Sequence, residues 1–303
     1  MSDKFIDTYN YIVETYAKEL EQDRKKLLKS IIICLLLFAI AFALFLVLKI
    51  TFDIHSKAGY YLLGILFIPA AFYYVYKYKK YNNLYLENYK SKVIKNFVET
   101  NSGLTYKQSS EKSLMSSYLQ AGFLDKEFNN FVSDDYIYGN INNNDNLAIC
   151  NFALQNVTKK GEFKNVVYEG IFSETQINKY LDEEVRINKN RRLLKASNRV
   201  EMDSNEFEKY FDVYTNSNIL AMEILTHDVM EELVNFYIDY KIKFEIIIKS
   251  NHIYVRFDTG AMFEPNILRK SNNMNTLWVY YSIINFVINL TTKINKVLND
   301  TEI

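Results

Sequence analysis

Two uncharged apolar runs, Ile31 to Leu48 and Ala58 to Tyr76, dominate the polarity pattern of the chain. A helix rises about 1.5 Å per residue and a bilayer's hydrocarbon core is about 30 Å thick, so each run is of spanning length. Only Asp53 to Lys57 lies between Phe52 and Ala58. Because backbone in lipid must satisfy its hydrogen bonds internally, the pattern predicts a transmembrane helical hairpin over residues 30–76. Pro69 removes one hydrogen bond within the second run and predicts a kink near Ile65.

Outside the hairpin the period becomes helical and amphipathic. Ile6, Tyr9, Val13, Tyr16 and Leu20 recur at alternating three and four residue spacing, which predicts an amphipathic helix over residues 1–29 with a coiled-coil seam. Tyr81, Tyr85, Tyr89, Val93 and Phe97 continue a stripe through residues 77–103, where Asn101-Ser102-Gly103 ends the helix. The hairpin brings both stripes to one membrane face, so an antiparallel stalk is expected. The alternative is a stalk that faces a second copy.

Residues 104–303 read as a separate mixed domain. Leu104 to Val132 looks helical, with Ser110 or Ser113 as a cap. Tyr136 to Ile141, Leu147 to Leu154 and Asn165 to Phe172 are rich in β-branched and aromatic residues and predict three antiparallel strands. Asn188 to Lys195, with Lys189, Arg191, Arg192 and Lys195, reads as a mobile basic segment, a solvated loop in preference to a headgroup contact. Thr226 opens a helix through Tyr240, and a hairpin is expected between Phe244–Ile248 and His252–Phe257, turning at Ser250-Asn251. Asn275 to Leu298 reads as a core helix and not a third crossing. The expected fold class is α+β: an N-terminal two-helix transmembrane hairpin, a helical cytoplasmic stalk, and a mixed antiparallel-sheet and helix domain.

Charge orients this layout. Arg24, Lys25, Lys26 and Lys29 precede the first run and Lys77, Lys79 and Lys80 follow the second. Positive charge stays inside, which predicts a multi-pass protein of the cell membrane with both termini cytoplasmic. The long, mixed-charge region before the first run argues against a cleaved signal peptide. Lys plus Arg and Asp plus Glu both number 36, so no global field attracts nucleic acid. Cys34 and Cys150 are the only cysteines, too few for a disulfide framework or a cysteine zinc site.

Tyr168-Glu169-Gly170-Ile171-Phe172, the run Glu206 to Tyr214, Ile224-Leu225-Thr226 and Phe263-Glu264-Pro265 follow the two apolar runs at intervals that resemble the bacterial DUF3137 membrane proteins. The resemblance covers most of the chain from the hairpin onward. It implies a membrane hairpin with a cytoplasmic mixed domain and a bacterial origin. It implies no catalytic residue.

The three histidines, His55, His227 and His252, show no metal-ligand spacing. His227 with Asp228 and Glu223 is the nearest approach to a metal corner, and surface polarity at a helix start explains those residues equally well. Neither a nucleophile elbow, a phosphate loop nor a dinucleotide fingerprint is present. Asp134-Asp135 and Asp182-Glu183-Glu184 are paired acids, but general acid/base work needs a partner that spacing alone does not supply. Glu264 before Pro265 reads as part of an extended turn. No residue is nominated as catalytic, cofactor-binding or metal-binding, and no cofactor is implied. The expected function is a non-enzymatic, membrane-anchored interaction or scaffold module. It would hold lipid through residues 31–76 and a protein partner or second copy through the stalk. A membrane-tethered enzyme and a subunit of an oligomeric transport assembly are the alternatives.

Overall fold

The computed structural model describes residues 2–51, 57–109, 113–123, 127–141, 145–190, 198–269 and 273–300. Its contacts divide it into two units, Met1–Phe5 with Lys95–Phe263 and Met274–Ile303, and Ile6–Ile94 with Glu264–Asn273.

The first unit is built on a seven-stranded antiparallel sheet. Its strands are β1 (Thr105–Ser109), β2 (Asn130–Ile141), β3 (Asp145–Val157), β4 (Phe163–Lys189), β5 (Arg199–Val200), β6 (Phe211–Tyr214) and β7 (Lys243–Asp258). The order is β1-β2-β3-β4-β6-β5, with β7 paired to β4. The three strands expected between Tyr136 and Phe172 are β2, β3 and the start of β4, in the expected antiparallel pairing.

Two expectations need correction. Leu104 to Val132 is not helical throughout: β1 comes first, α5 covers only Ser113–Ala121, and β2 begins at Asn130. A short polar strand such as Thr-Tyr-Lys-Gln-Ser has too little apolar alternation to announce itself. Phe244 to Phe257 is not a hairpin but one strand, because both halves pair with β4 and not with each other. Ser250, at φ 55°, marks an irregularity there instead of a turn. Opposite it, β4 takes nine steps from Gln176 to Val185 while β7 takes four from His252 to Ile248. The basic residues Arg191, Arg192 and Lys195, and Ser110, lie outside the described residues; Lys189 ends β4.

Helices cover both faces of the sheet. On one, α8 (His227–Tyr240) and α9 (Met274–Asp300) pack together, and α9 lies against β4. Phe236 and Phe286 stack at 4.1 Å over Phe244 and Phe257. The last helix is therefore a core element, burying Leu277, Ile284, Val287, Leu290 and Ile294. On the other face, Leu114, Tyr118 and Ala121 of α5 pack on Cys150, Phe152, Phe172 and Tyr254. Arg256 is buried beneath them between the rings of Phe123 and Tyr168, bonded to Glu245 and to the Tyr118 hydroxyl. The helices α4 (Lys95–Ser102), α6 (Asn205–Tyr210) and α7 (Asn218–Ile224) complete the unit. Gly103, at φ 74°, ends α4 as expected, its N–H donating to Glu99.

The run Glu206 to Tyr214 holds α6 and β6, and it is fixed by a residue outside it. Arg199 donates to Asp212 at 2.7 Å and to Glu208, and a Glu208 oxygen accepts the Met202 N–H at 2.9 Å. Ser204 caps α6 through the Phe207 N–H. The guanidinium thus closes β5, α6 and β6 around two carboxylates.

The second unit is helical. It holds most of α1 (Asp3–Thr51), with α2 (Lys57–Tyr73) and α3 (Lys79–Tyr89) joined and continued by π-helical turns at Tyr74–Tyr78 and Lys90–Ile94. The helix runs through Pro69, and the first irregularity is the π-helical turn after it. Asn88 donates to Asp23 at 2.7 Å and Lys92 to Glu19 at 2.5 Å, which sets α1 antiparallel to the segment after α2. The buried line on α1 includes Thr8, Ile12, Leu20, Asp23 and Leu27. Tyr9 and Val13 are only half-buried, so the expected seam is displaced by one residue ahead of Leu20. Lys90, fully buried, pairs with Glu264 at 2.7 Å, and Arg24 donates to the Ile267 carbonyl at 3.0 Å. Among the described residues one helix, α1, is long and apolar enough to cross a membrane.

Candidate functional site

The period of two along a strand places alternate residues on one face, and antiparallel register lines them up in rungs. One rung runs Tyr138, Ala148, Glu174, Tyr254, and the next runs Asn140, Asn146, Gln176, His252. The buried apolar cluster under α5 includes Tyr136 and Tyr254, and the partly buried Tyr138 and Ala148 pack against it. Tyr138, Ala148, Glu174, Asn140, Asn146, Gln176 and His252 of these rungs line an open cleft of about 340 Å³.

The polar groups of the cleft converge from four strands. His252 Nε2 lies 3.5 Å from Glu174 Oε1, and the His252 ring stacks on Tyr254 at 5.6 Å. Asn146 donates to Gln176 at 3.4 Å. Tyr138 stacks on Tyr136, with the Lys107 ammonium 4.8 Å from its ring centre. The cleft offers one carboxylate, one imidazole and three amides in an open slot. That suits recognition of a polar group. The His252–Glu174 separation is longer than a well-made hydrogen bond.

Burial, and then the Glu174 carboxylate, push the Tyr254 hydroxyl up to about 12 from 10. The folded chain therefore holds this proton more tightly than the unfolded chain. The resulting stability is complete below about pH 10 and is lost as pH rises toward about 12. Tyr254→Phe removes the effect. Thermal unfolding should show a constant wild-type-minus-variant difference below pH 10 that falls against the wild type from pH 10 to 12. A difference that stays flat across this window would contradict the assigned burial.

The other residues weighed from the sequence are placed apart from the cleft. Asp135 is buried at φ 53° in a bulge of β2 and accepts from the Tyr106 hydroxyl. Asp134 accepts from Asn151 at 2.9 Å, and Asn151 accepts the Met262 N–H at 3.3 Å. This pair of acids pins β1, β3 and the chain after β7 to the bulge. Burial and Asp134 push the neighbouring Cys150 thiol far up, so it is no nucleophile. His227 is exposed at the start of α8, and Glu223 is committed to Lys179 at 3.1 Å. Asp182 and Glu183 are exposed on the irregular part of β4, and Glu184 pairs with Arg186 at 2.9 Å. Sequence reasoning considered His252 alone and missed Glu174, Tyr138 and Gln176. No spacing could join them, since strand pairing brings together residues more than a hundred positions apart.

A comparison with curated proteins returns no match. Among solved structures, the crystal structure of the mycobacterial trehalose monomycolate transport factor A, TtfA, is similar at 11% identity with a TM-score of 0.34, over 66% of this chain and 94% of that one. Residues 166–296, which run from β4 through most of α9 and carry the Glu206 to Tyr214 run, match the model of the family described as a protein of unknown function, DUF3137.

Proposed function

We propose that the chain is a membrane-anchored interaction module. The apolar part of α1 together with α2 forms a hairpin in the bilayer, both termini lie in the cytosol, and the sheet unit offers its cleft to a partner without turning it over. The observation that carries this reading is the outer surface of α1, where Ile32, Leu35, Leu36, Ile40, Phe42 and Val47 are all exposed. Water would penalise so continuous an apolar face, and lipid would not. The hairpin is supported by α2, which is also apolar, and by the contact of Phe38 with Phe67 at 5.4 Å between ring centres. The cytosolic assignment rests on the lysines at the hairpin's two ends.

Alkaline carbonate should leave the full chain in the membrane pellet. In a background with Cys34 and Cys150 replaced, Ser56→Cys should react with an impermeant maleimide in intact cells, and Lys160→Cys should react only after lysis. Release by carbonate would refute the anchor, and labelling of position 160 in intact cells would refute the orientation.

A further inference from the structure

We infer that the lysines and tyrosines at the cytosolic foot of this anchor form a collar that binds anionic lipid headgroups. The inference rests on the membrane reading above and adds a ligand class to it. Between Asp23 and Asp53, and again between Asp53 and Glu87, the chain holds no acidic residue. The nearest carboxylates are already committed. Glu21 holds Arg24 at 2.7 Å, and Asp23 holds Lys26 at 2.9 Å and Asn88 at 2.7 Å. Lys25, Lys29, Lys77, Lys79 and Lys80 are exposed, and among the described residues none of them carries an ion pair.

These lysines lie on the same side of the contact between α1 and the segment that follows α2. Asn88 on Asp23 and Lys92 on Glu19 set the two segments antiparallel, so Lys25 and Lys29, which follow Asp23, and Lys77, Lys79 and Lys80, which precede Asn88, extend from that contact toward the apolar runs. Tyr73, Tyr74 and Tyr76 end the apolar run and Tyr78 lies among the lysines, with Tyr74 stacked on Tyr78 at 5.0 Å and Phe72 against Tyr76 at 4.3 Å. Tyrosine prefers the headgroup level, and a lysine stem lies along apolar surface while its ammonium reaches out to the phosphates. The occupant is therefore a phosphate joined to an acyl chain. The exposed flank of Phe72, Val75 and Tyr76 is continuous with the lysines, and a free anion would leave that flank uncovered.

The test uses the full chain in detergent micelles and native mass spectrometry, with phosphatidylglycerol and phosphatidylcholine of matched acyl chains. Phosphatidylglycerol should be retained in preference. The triple variant Lys77→Gln, Lys79→Gln, Lys80→Gln should lose about fivefold in phosphatidylglycerol affinity per lysine, about a hundredfold together, with phosphatidylcholine unchanged. The corresponding triple arginine variant should bind as the wild type does. Equal retention of the two lipids, or a glutamine variant that holds phosphatidylglycerol like the wild type, would overturn the collar. Displacement of the lipid by millimolar inorganic phosphate would reassign the site to a free anion and overturn it as well. A chain released from membranes by carbonate would refute the anchor, whereas an embedded chain without headgroup preference would refute the collar alone.

Discussion

Gly170→Ala will destabilise the sheet unit by about 3 kcal/mol or more, enough to consume a large share of the 5–15 kcal/mol that holds a typical domain. A Cβ at this position would overlap the Phe257 carbonyl oxygen and lie 3.3 Å from the Thr259 nitrogen. Those are backbone atoms of the end of β7 and of the residue just past it, where Ile171 lies opposite Phe257 and the Gly260 N–H donates to Glu169. No rotamer relieves the clash, so β4 and the end of β7 must part. Gly139→Ala is the control. Its Cβ would meet the Leu104 side chain, Cδ2 at 2.9 Å, which can turn aside. Thermal unfolding of the full chain in detergent should place Gly170→Ala far below wild type and Gly139→Ala close to it. Equal shifts for the two would show that the strands are not as close as described.

Arg199→Met will cost roughly 3–5 kcal/mol, because it removes the cation and leaves its acids behind. Asp212 is 6% exposed and Glu208 20%, so solvent replaces little of what the guanidinium supplied. Burial alone does not make such an arrangement stabilising. The same change made together with Glu208→Gln and Asp212→Asn should therefore cost much less than the single variant. Denaturant unfolding of these variants measures the coupling. Additive losses would mean that the three groups do not act as a unit.

The elements legible in the sequence are those whose period is unambiguous. β2, β3 and the start of β4 announce themselves through β-branched and aromatic residues, and α9 through apolar positions on nearly every side. The failures have local causes. Ser250-Asn251 carries ordinary turn chemistry, and only pairing with a third strand reveals that β7 passes through it. Arg199 lies ahead of the run it organises and looks like one more surface cation. The cleft was the least legible part, since Tyr138, Glu174 and His252 share a face only after four strands have found their register. Gly170 was visible as part of a family-like motif, but the reason for it is a carbonyl nearly ninety residues away.

The left-handed residue at Ser250 also bears on what the sheet avoids. Among the described strands β7 pairs only with β4, so its other side is a sixteen-residue edge. That edge is apolar and almost wholly covered at Ile246 to Ile248 and again at Ile253 to Val255. A flat edge of this length is a template on which a foreign chain can add itself strand by strand. The left-handed Ser250, with the surplus of β4 residues opposite it, breaks the regular register and divides the strand into two shorter pieces. The irregularity that hides β7 from sequence inspection thereby interrupts regular pairing at Lys249 to His252, a stretch of β7 that solvent reaches.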